Sequence, residues 1–317
     1  MTTHTILITG ATAGIGRFAA LHLARKGHRV FASGRNEAAL AKLRADAASL
    51  PGARGGAQDG AQGSAALETV RLDVTDPASI SAAAEEILRR TDGRGIDALV
   101  NNAGWGLAGP LAEIPVEDLR TQFETNVFGL HAVTRAFLPQ LRKNASQGRR
   151  ARILNVSSMG GRFTFPFFGA YHATKYAVEA MSDALRNELK PLGVDVVLVE
   201  PGVIQSDFSE RSRASIEKYR STESPYASIY ARADAIQAQT DRRAVGPEVI
   251  ARVMERAITA RRPRPRYVAP ARTYFALIFF KLLPTRWVDG LMRAVLGLKP
   301  NRLGTTGDAT SSARHAA

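Results

Sequence analysis

The 317-residue chain contains no cysteine, which excludes a disulfide framework, a thiolate metal centre and a thiol nucleophile. Its six histidines, at 4, 22, 28, 131, 172 and 315, show no close pairing of the H-E-x-x-H kind, so no metal site is assigned. There is no internal repeat. The N-terminus enters a strand-like run within four residues, leaving no room for a charged region followed by an apolar signal segment. A cytoplasmic protein is expected. Acidic residues are in the minority, 29 Asp and Glu against 43 Lys and Arg, for a net charge of +14. The basic residues come without nucleic-acid-binding motifs, so no nucleic-acid partner is expected.

What is present is a rhythm of short apolar runs. Strands are expected at about 5–9, 28–33, 68–72, 96–100, 151–156 and 194–199, with helices between them. Runs such as Asp97-Ala98-Leu99-Val100 and Asp195-Val196-Val197-Leu198-Val199 suit strands buried on both faces, so the reading is an α/β fold with a doubly wound parallel sheet. The alternation continues without a linker from residue 5 to about 205, which argues for one large core rather than two domains. The Gly/Ala/Gln stretch Pro51–Ala66 is expected to be a mobile surface loop, and the basic stretch Arg142–Arg152 a solvated turn.

The first strand runs into TGATAGIG, Thr9 to Gly16. Strand, glycine turn and helix form the geometry a dinucleotide needs: Gly10 permits the tight turn, Gly14 lets backbone approach a pyrophosphate, and Gly16 lets the helix pack close. At Tyr171-His172-Ala173-Thr174-Lys175 a tyrosine and a lysine stand four residues apart, one turn from each other on a helix face. The ammonium is expected to stabilise the phenolate and bring its pKa toward neutrality, where proton exchange with an alcohol or ketone is efficient.

With LDVTD at 72–76, NNAG at 101–104, Asn126 in NVFG, Ser158 thirteen residues before Tyr171, and PGVIQS at 201–206, the chain resembles the short-chain dehydrogenase/reductase family. Ser206 stands where the family more often has Thr. The resemblance implies a Rossmann-type fold and an NAD(P)-dependent oxidoreductase acting on CH–OH groups. It implies Tyr171 as proton donor, Lys175 as its cationic neighbour and a ligand to the nicotinamide ribose, Ser158 as oxyanion donor, and Asn126 as holder of a relay water. It also implies a cofactor lined by Gly10, Thr12, Gly14, Ile15, Gly16, Asp73, Val74, Asn101, Ala103, Gly104, Pro201, Gly202 and Ile204, besides Tyr171 and Lys175. Arg17 is expected to add charge near the phosphates. Relatives often pair through the helices holding Asn126 and Tyr171, so a homo-oligomer is expected.

Cofactor choice is read at the end of the second strand, Phe31-Ala32-Ser33-Gly34-Arg35-Asn36. No acid is there to bind a ribose 2′-hydroxyl, whereas the Arg35 guanidinium suits a 2′-phosphate; NADP(H) is favoured and NAD(H) tolerated. Four phenylalanines, 163, 165, 167 and 168, lie between Ser158 and Tyr171, and Trp105 follows NNAG. A lipophilic alcohol or carbonyl fits an aromatic crevice, with packing inside the protein as the competing role of each ring. The polar stretch Asp207–Arg243 occupies the place of a substrate lid, about 205–245.

Residues 1–270 are read as the catalytic domain, 271–299 as an amphipathic helical extension and 300–317 as a disordered tail. Phe275, Ile278, Phe279, Leu282 and Leu283 form a helical stripe, repeated by Trp287, Leu291 and Val295, too short to cross a bilayer. Residues 241–302 carry fourteen Lys/Arg against four Asp/Glu. Such a stripe packs over the chain's own cleft, covers a partner subunit, or makes peripheral contact with the inner, anionic face of a membrane. The basic and apolar extension resembles that of the 17β-hydroxysteroid and retinol dehydrogenase-like branch, which implies steroid, retinoid or long-chain substrates. The alternative is a non-catalytic NADP-sensing or membrane-surface protein on the same fold.

Overall fold

The computed structural model describes residues 2–49, 67–205, 207–232, 235, 238, 239 and 241–298. The stretch 51–66, the tail 300–317 and Ser206 lie outside them. Among the described residues seven strands pair in parallel: β1 (Thr5–Ile8), β2 (Arg29–Gly34), β3 (Leu67–Arg71), β4 (Ala98–Asn101), β5 (Ala151–Val156), β6 (Val194–Pro201) and β7 (Arg266–Ala269). Their order across the sheet is β3-β2-β1-β4-β5-β6-β7. The doubly wound parallel sheet expected from the apolar runs is the architecture of this chain, with strand ends shifted by up to two residues.

Alternation along each strand divides the core in two. Ile6, Ile8, Val30, Ala32, Val100, Leu154, Val197 and Val199 face one layer, closed by Ala20 and Leu23 of α1 (Gly14–Arg25) and by Ile250, Met254 and Ile258 of α9 (Glu248–Thr259). Leu7, Phe31, Leu99, Ile153 and Val196 face the other, closed by Ile80 and Ile87 of α3 (Pro77–Arg90) and by Val133, Phe137 and Leu141 of α5 (Leu130–Ser146). Burial on both faces is why these strands read as unbroken apolar runs. Further helices among the described residues are α2 (Glu37–Ala48), α4 (Val116–Phe123), α6 (Gly169–Leu189), α7 (Asp207–Tyr219), α8 (Ala227–Tyr230), α10 (Ala271–Leu282) and α11 (Thr285–Leu296).

Two features differ from the sequence reading. The edge strand β7, Arg-Tyr-Val-Ala, is too short and polar to stand out beside Pro265 and Pro270, yet it pairs with β6 from Leu198↔Arg266 to Pro201↔Ala269. The stretch Arg142–Arg152 is not all a solvated turn. Arg152 is 2% exposed, and its guanidinium donates to the carbonyls of Ala257, Ile258 and Ala260 at the C-terminus of α9. A buried cation there satisfies carbonyls that the helix leaves unpaired and meets the negative end of its dipole.

Candidate active site

Strands β1 and β4 are neighbours at the centre of the sheet, and the chain departs from them in opposite directions, opening a crevice at their carboxyl ends. Gly10 follows β1 with φ +63°, and a Cβ on it would lie 2.7 Å from Ala103 Cα beyond β4. Only glycine fits both demands. Thr9 Oγ1 accepts from the amides of Asn102 and Ala103, each at 3.0 Å, while Asn102 Nδ2 donates to the carbonyls of Thr9 and Gly10. These bonds lace the glycine turn to the NNAG turn.

Helix α1 begins at Gly14 without a side-chain cap and with no acid in its first turn, whereas α2 and α3 are capped by Asn36 and Asp76. Its free N-terminal amides are donors waiting for an anion. Ile15 packs on the core beneath, and Gly16 has no room for a Cβ beside Asn102 and the Gly10 carbonyl. The residues present therefore fit a dinucleotide. A cavity of about 650 Å³ opens on the α2 side of the turn, lined by Thr12, Gly14, Arg17, Lys42, Gln205 and Pro247 among others. Arg17 is held by Asp46 at 2.7 Å, so its charge is turned to α2 rather than offered outward.

At the end of β2 the Arg35 side chain is exposed, while Asn36 Oδ1 accepts from Ala39 N at 2.9 Å. Asp73 folds onto its own turn, accepting from the Thr75 amide and hydroxyl. Burial pushes its carboxyl up, but the Thr75 bonds, Arg35 and Arg71 outweigh that and hold it below the usual range. Val74 is buried beside Gly129. Asn101 points into the core, its Nδ2 donating to Thr134 and Asn155; Asn102 is the member of the pair that reaches the glycine turn. A Cβ on Gly104 would stand 3.1 Å from Asn126 Oδ1. Pro201 ends β6, Gly202 donates its amide to Ala269 O at 2.8 Å and abuts Thr273 of α10, and Ile204 bridges to Val245.

Ser158 follows β5 and opens a tight turn, Met159–Gly161, with its Oγ accepting from Gly160 N at 3.0 Å. It acts on the nearby phenol of Tyr171 on α6, favouring the ionised form. Lys175, one turn on, donates from Nζ to Val156 O at 2.8 Å and lies 5.6 Å from the Tyr171 ring centroid. The three side chains stand together.

The electrostatics differ from the expectation of an acidified phenol. Burial pushes the Tyr171 hydroxyl up to about 12, with Ser158 only partly opposing it. Burial also pulls Lys175 down to about 8 against the pull of Glu179. Burial dominates: Phe208 of α7 lies against the phenol, its centroid 5.0 Å from the Tyr171 ring, and the Lys175 ammonium is turned to a carbonyl.

Asn126 also has a structural part. It sits in a π-helical turn, Glu124–Gly129, between α4 and α5. Its Nδ2 donates to Trp105 O and to Thr174 Oγ1, and its Oδ1 accepts from Trp105 N. Both amide hydrogens are thereby committed, so the residue clamps the Trp105 segment to α6.

Three contributors have no signature in the sequence. His172 Nδ1 accepts from Phe165 N at 3.0 Å and its ring fills the space beside Gly160. Burial pulls it down to about 4, so it stays neutral. Phe208 shields the phenol. Beneath the Pro-Gly segment, Glu200 is fully buried between Arg162 and Arg266, and burial followed by repulsion from Glu179 pushes it up to about 7.

The short chain dehydrogenase family profile matches residues 4–217. An NADPH-dependent 3-dehydrocapnine reductase of Ornithobacterium rhinotracheale is 34% identical over 224 residues, 70% of this chain and 78% of that protein. Retinol dehydrogenase 7 of Mus musculus is 34% identical over 296 residues, 90% and 87% of the two chains. The crystal structure of a short chain dehydrogenase/reductase of Burkholderia phymatum in complex with NAD matches with a TM-score of 0.70 at 26% identity, over 89% of this chain and 96% of that one. The chain belongs to the short-chain dehydrogenase/reductase family and is an NAD(P)-dependent oxidoreductase.

Proposed function

We propose that the enzyme interconverts a lipophilic primary or secondary alcohol and its aldehyde or ketone, of steroid, retinoid or long-chain type, with NADP(H) preferred over NAD(H). The observation that carries this reading is the buried Tyr171 phenol, with Ser158 acting on it and the Phe208 ring against it. Phe208 covers the phenol, Phe163 and Phe165 meet edge to face, and Phe167 lies against Tyr226 and Tyr230 beyond α7. Such walls favour apolar substrates and exclude water. Relatives named for retinol and for a dehydrocapnine agree with a lipophilic substrate.

The nicotinamide, when bound, supplies the hydride to the carbonyl carbon or takes it from the carbinol carbon. Ser158 Oγ accepts from Gly160 N, so its hydroxyl proton remains to be donated and turns from the phenol to the substrate oxygen when substrate enters. Tyr171, protonated throughout the neutral range, passes its proton to that oxygen as the carbonyl π-bond opens, completing the alcohol. Lys175, with a pKa near 8, remains largely charged at neutral pH; it stabilises the phenolate left behind and holds the ribose hydroxyls. The assembly of all three groups argues against a purely cofactor-sensing role.

The preference for NADP(H) rests on Arg35, exposed at the end of β2, a strand end that carries no acid of its own. Residues of about 205–245 form the lid: Asp118 fastens α7 by accepting from Lys218 and Tyr219, and Glu113 fastens the turn beyond it and α8 by accepting from Ser224 and Tyr230. Phe128 and Tyr176, 57% and 45% exposed, lie on the segments that carry Asn126 and Tyr171, and there a second subunit is proposed to pair. The test is NADPH oxidation with aliphatic aldehydes of increasing length, retinal and steroid ketones. Rising kcat/KM with apolar size supports the reading; equal turnover of small hydrophilic carbonyls refutes it.

A further inference from the structure

Helix α10 has two apolar faces, and only one is used. Inward, Thr273 and Leu277 are buried, Thr273 abuts Gly202, and Phe280 stacks on Phe163 of the substrate loop at 4.6 Å. Outward, Phe275, Phe279 and Leu282 are 70%, 56% and 79% exposed, and α11 continues the surface with Trp287, Leu291 and Val295 at 69%, 41% and 50%. Six large apolar side chains left exposed on two successive helices call for a cover.

We propose that this face docks on the anionic headgroup surface of a lipid bilayer, with α10 and α11 lying in its plane. Twelve residues each, the helices are about 18 Å long, too short to span. Arg272, Lys281, Arg286 and Arg293 share them with a single acid, Asp289. No ion pair among the described residues engages those four cations. A second copy seated here about a two-fold axis would bring basic faces together and desolvate them unpaired, whereas anionic headgroups neutralise them. Trp287 is the side chain that favours the boundary between headgroups and hydrocarbon. Through the Phe280–Phe163 stack the docked helix sits directly on the substrate loop, so the cleft opens beside the surface that dissolves apolar substrates.

The test is co-sedimentation of the full chain with phosphatidylcholine vesicles and with vesicles also containing phosphatidylglycerol, read without turnover, so that it stands apart from the chemistry proposed above. The parent is expected to bind the anionic vesicles more tightly and to release with salt. Each cation contributes about fivefold, and the triple variant F275E/F279E/L282E is expected to bind more than about tenfold more weakly, with unchanged unfolding midpoint and NADPH affinity. Equal binding by parent and variant overturns the proposal, as does a parent that ignores both vesicles. So does a parent whose dimer, in the absence of lipid binding, is dissolved by the same substitutions, since the cover is then a second copy.

Discussion

Replacing Gly10 by alanine tests whether the glycine turn is held against the β4 turn as tightly as the geometry states. The left-handed backbone at φ +63° costs an alanine about 1–2 kcal/mol. The new methyl also meets Ala103 Cα, N and Cβ at 2.7, 3.1 and 3.2 Å, backbone atoms that cannot rotate away, for about 1–3 kcal/mol more. Gly27 is the internal control: its φ is +84° and a Cβ there meets nothing within 4 Å, so Gly27→Ala pays only the conformational part. Urea unfolding followed by circular dichroism is expected to show Gly10→Ala losing about 2–5 kcal/mol and Gly27→Ala about 1–2. NADPH fluorescence titration is expected to show weakened binding in the first variant alone, because the displaced turn no longer aims the α1 amides. Equal losses of stability in the two variants would refute the tight contact, and unchanged NADPH affinity in Gly10→Ala would refute the turn's role at the phosphates.

Three further outcomes follow from single contacts. Arg35→Ser is expected to weaken NADPH binding by about ten- to hundredfold, the value of a charge-assisted bond, and to leave NADH binding as it was; a parallel loss for both would remove Arg35 from the 2′-phosphate. Asp118→Asn weakens the acceptor of Lys218 and Tyr219, and amide exchange in α7 is expected to quicken about fivefold, a modest value because Lys218 is largely exposed; unchanged exchange would show that Asp118 does not fasten the lid. An unfolded chain protonates a histidine near pH 6.5, while folded His172 refuses the proton until about pH 4. Unfolding therefore takes up a proton in that window and stability falls as the pH drops through it, by about 3 kcal/mol at the lower end. His172→Asn keeps an acceptor for Phe165 N and is expected to flatten the slope of the urea midpoint between pH 7 and 4; an identical slope would count against a buried neutral imidazole.

The sheet was legible because strands buried on both faces leave apolar runs that no surface segment has. β7 escaped notice because four residues beginning with arginine, set between prolines, make no such run. At the site, Tyr171 and Lys175 stood out because one turn of helix sets them side by side, while Ser158 was found through its place in the order of the family's motifs. Phe208, His172 and Glu200 could not, because their contacts join positions far apart in the chain or depend on a loop's path. The pKa of Tyr171 shows the limit most clearly. Sequence names the neighbouring cation, but the burial that overrides it comes from α7 and the turn around Ser158. In the same way the stripe from Phe275 to Leu282 was visible as a pattern, while only the fold shows that this stripe faces outward and that Phe280 faces in.

The central claim is that Tyr171 delivers the proton, and Tyr171→Phe tests it with one atom removed. NADPH oxidation in the presence of an apolar aldehyde, measured beside the Kd for NADPH, is the decisive pair of readings. A fall in kcat/KM of about 10²–10⁴ with the Kd unchanged is expected. Activity equal to the parent, or a loss explained wholly by weaker NADPH binding, would contradict it.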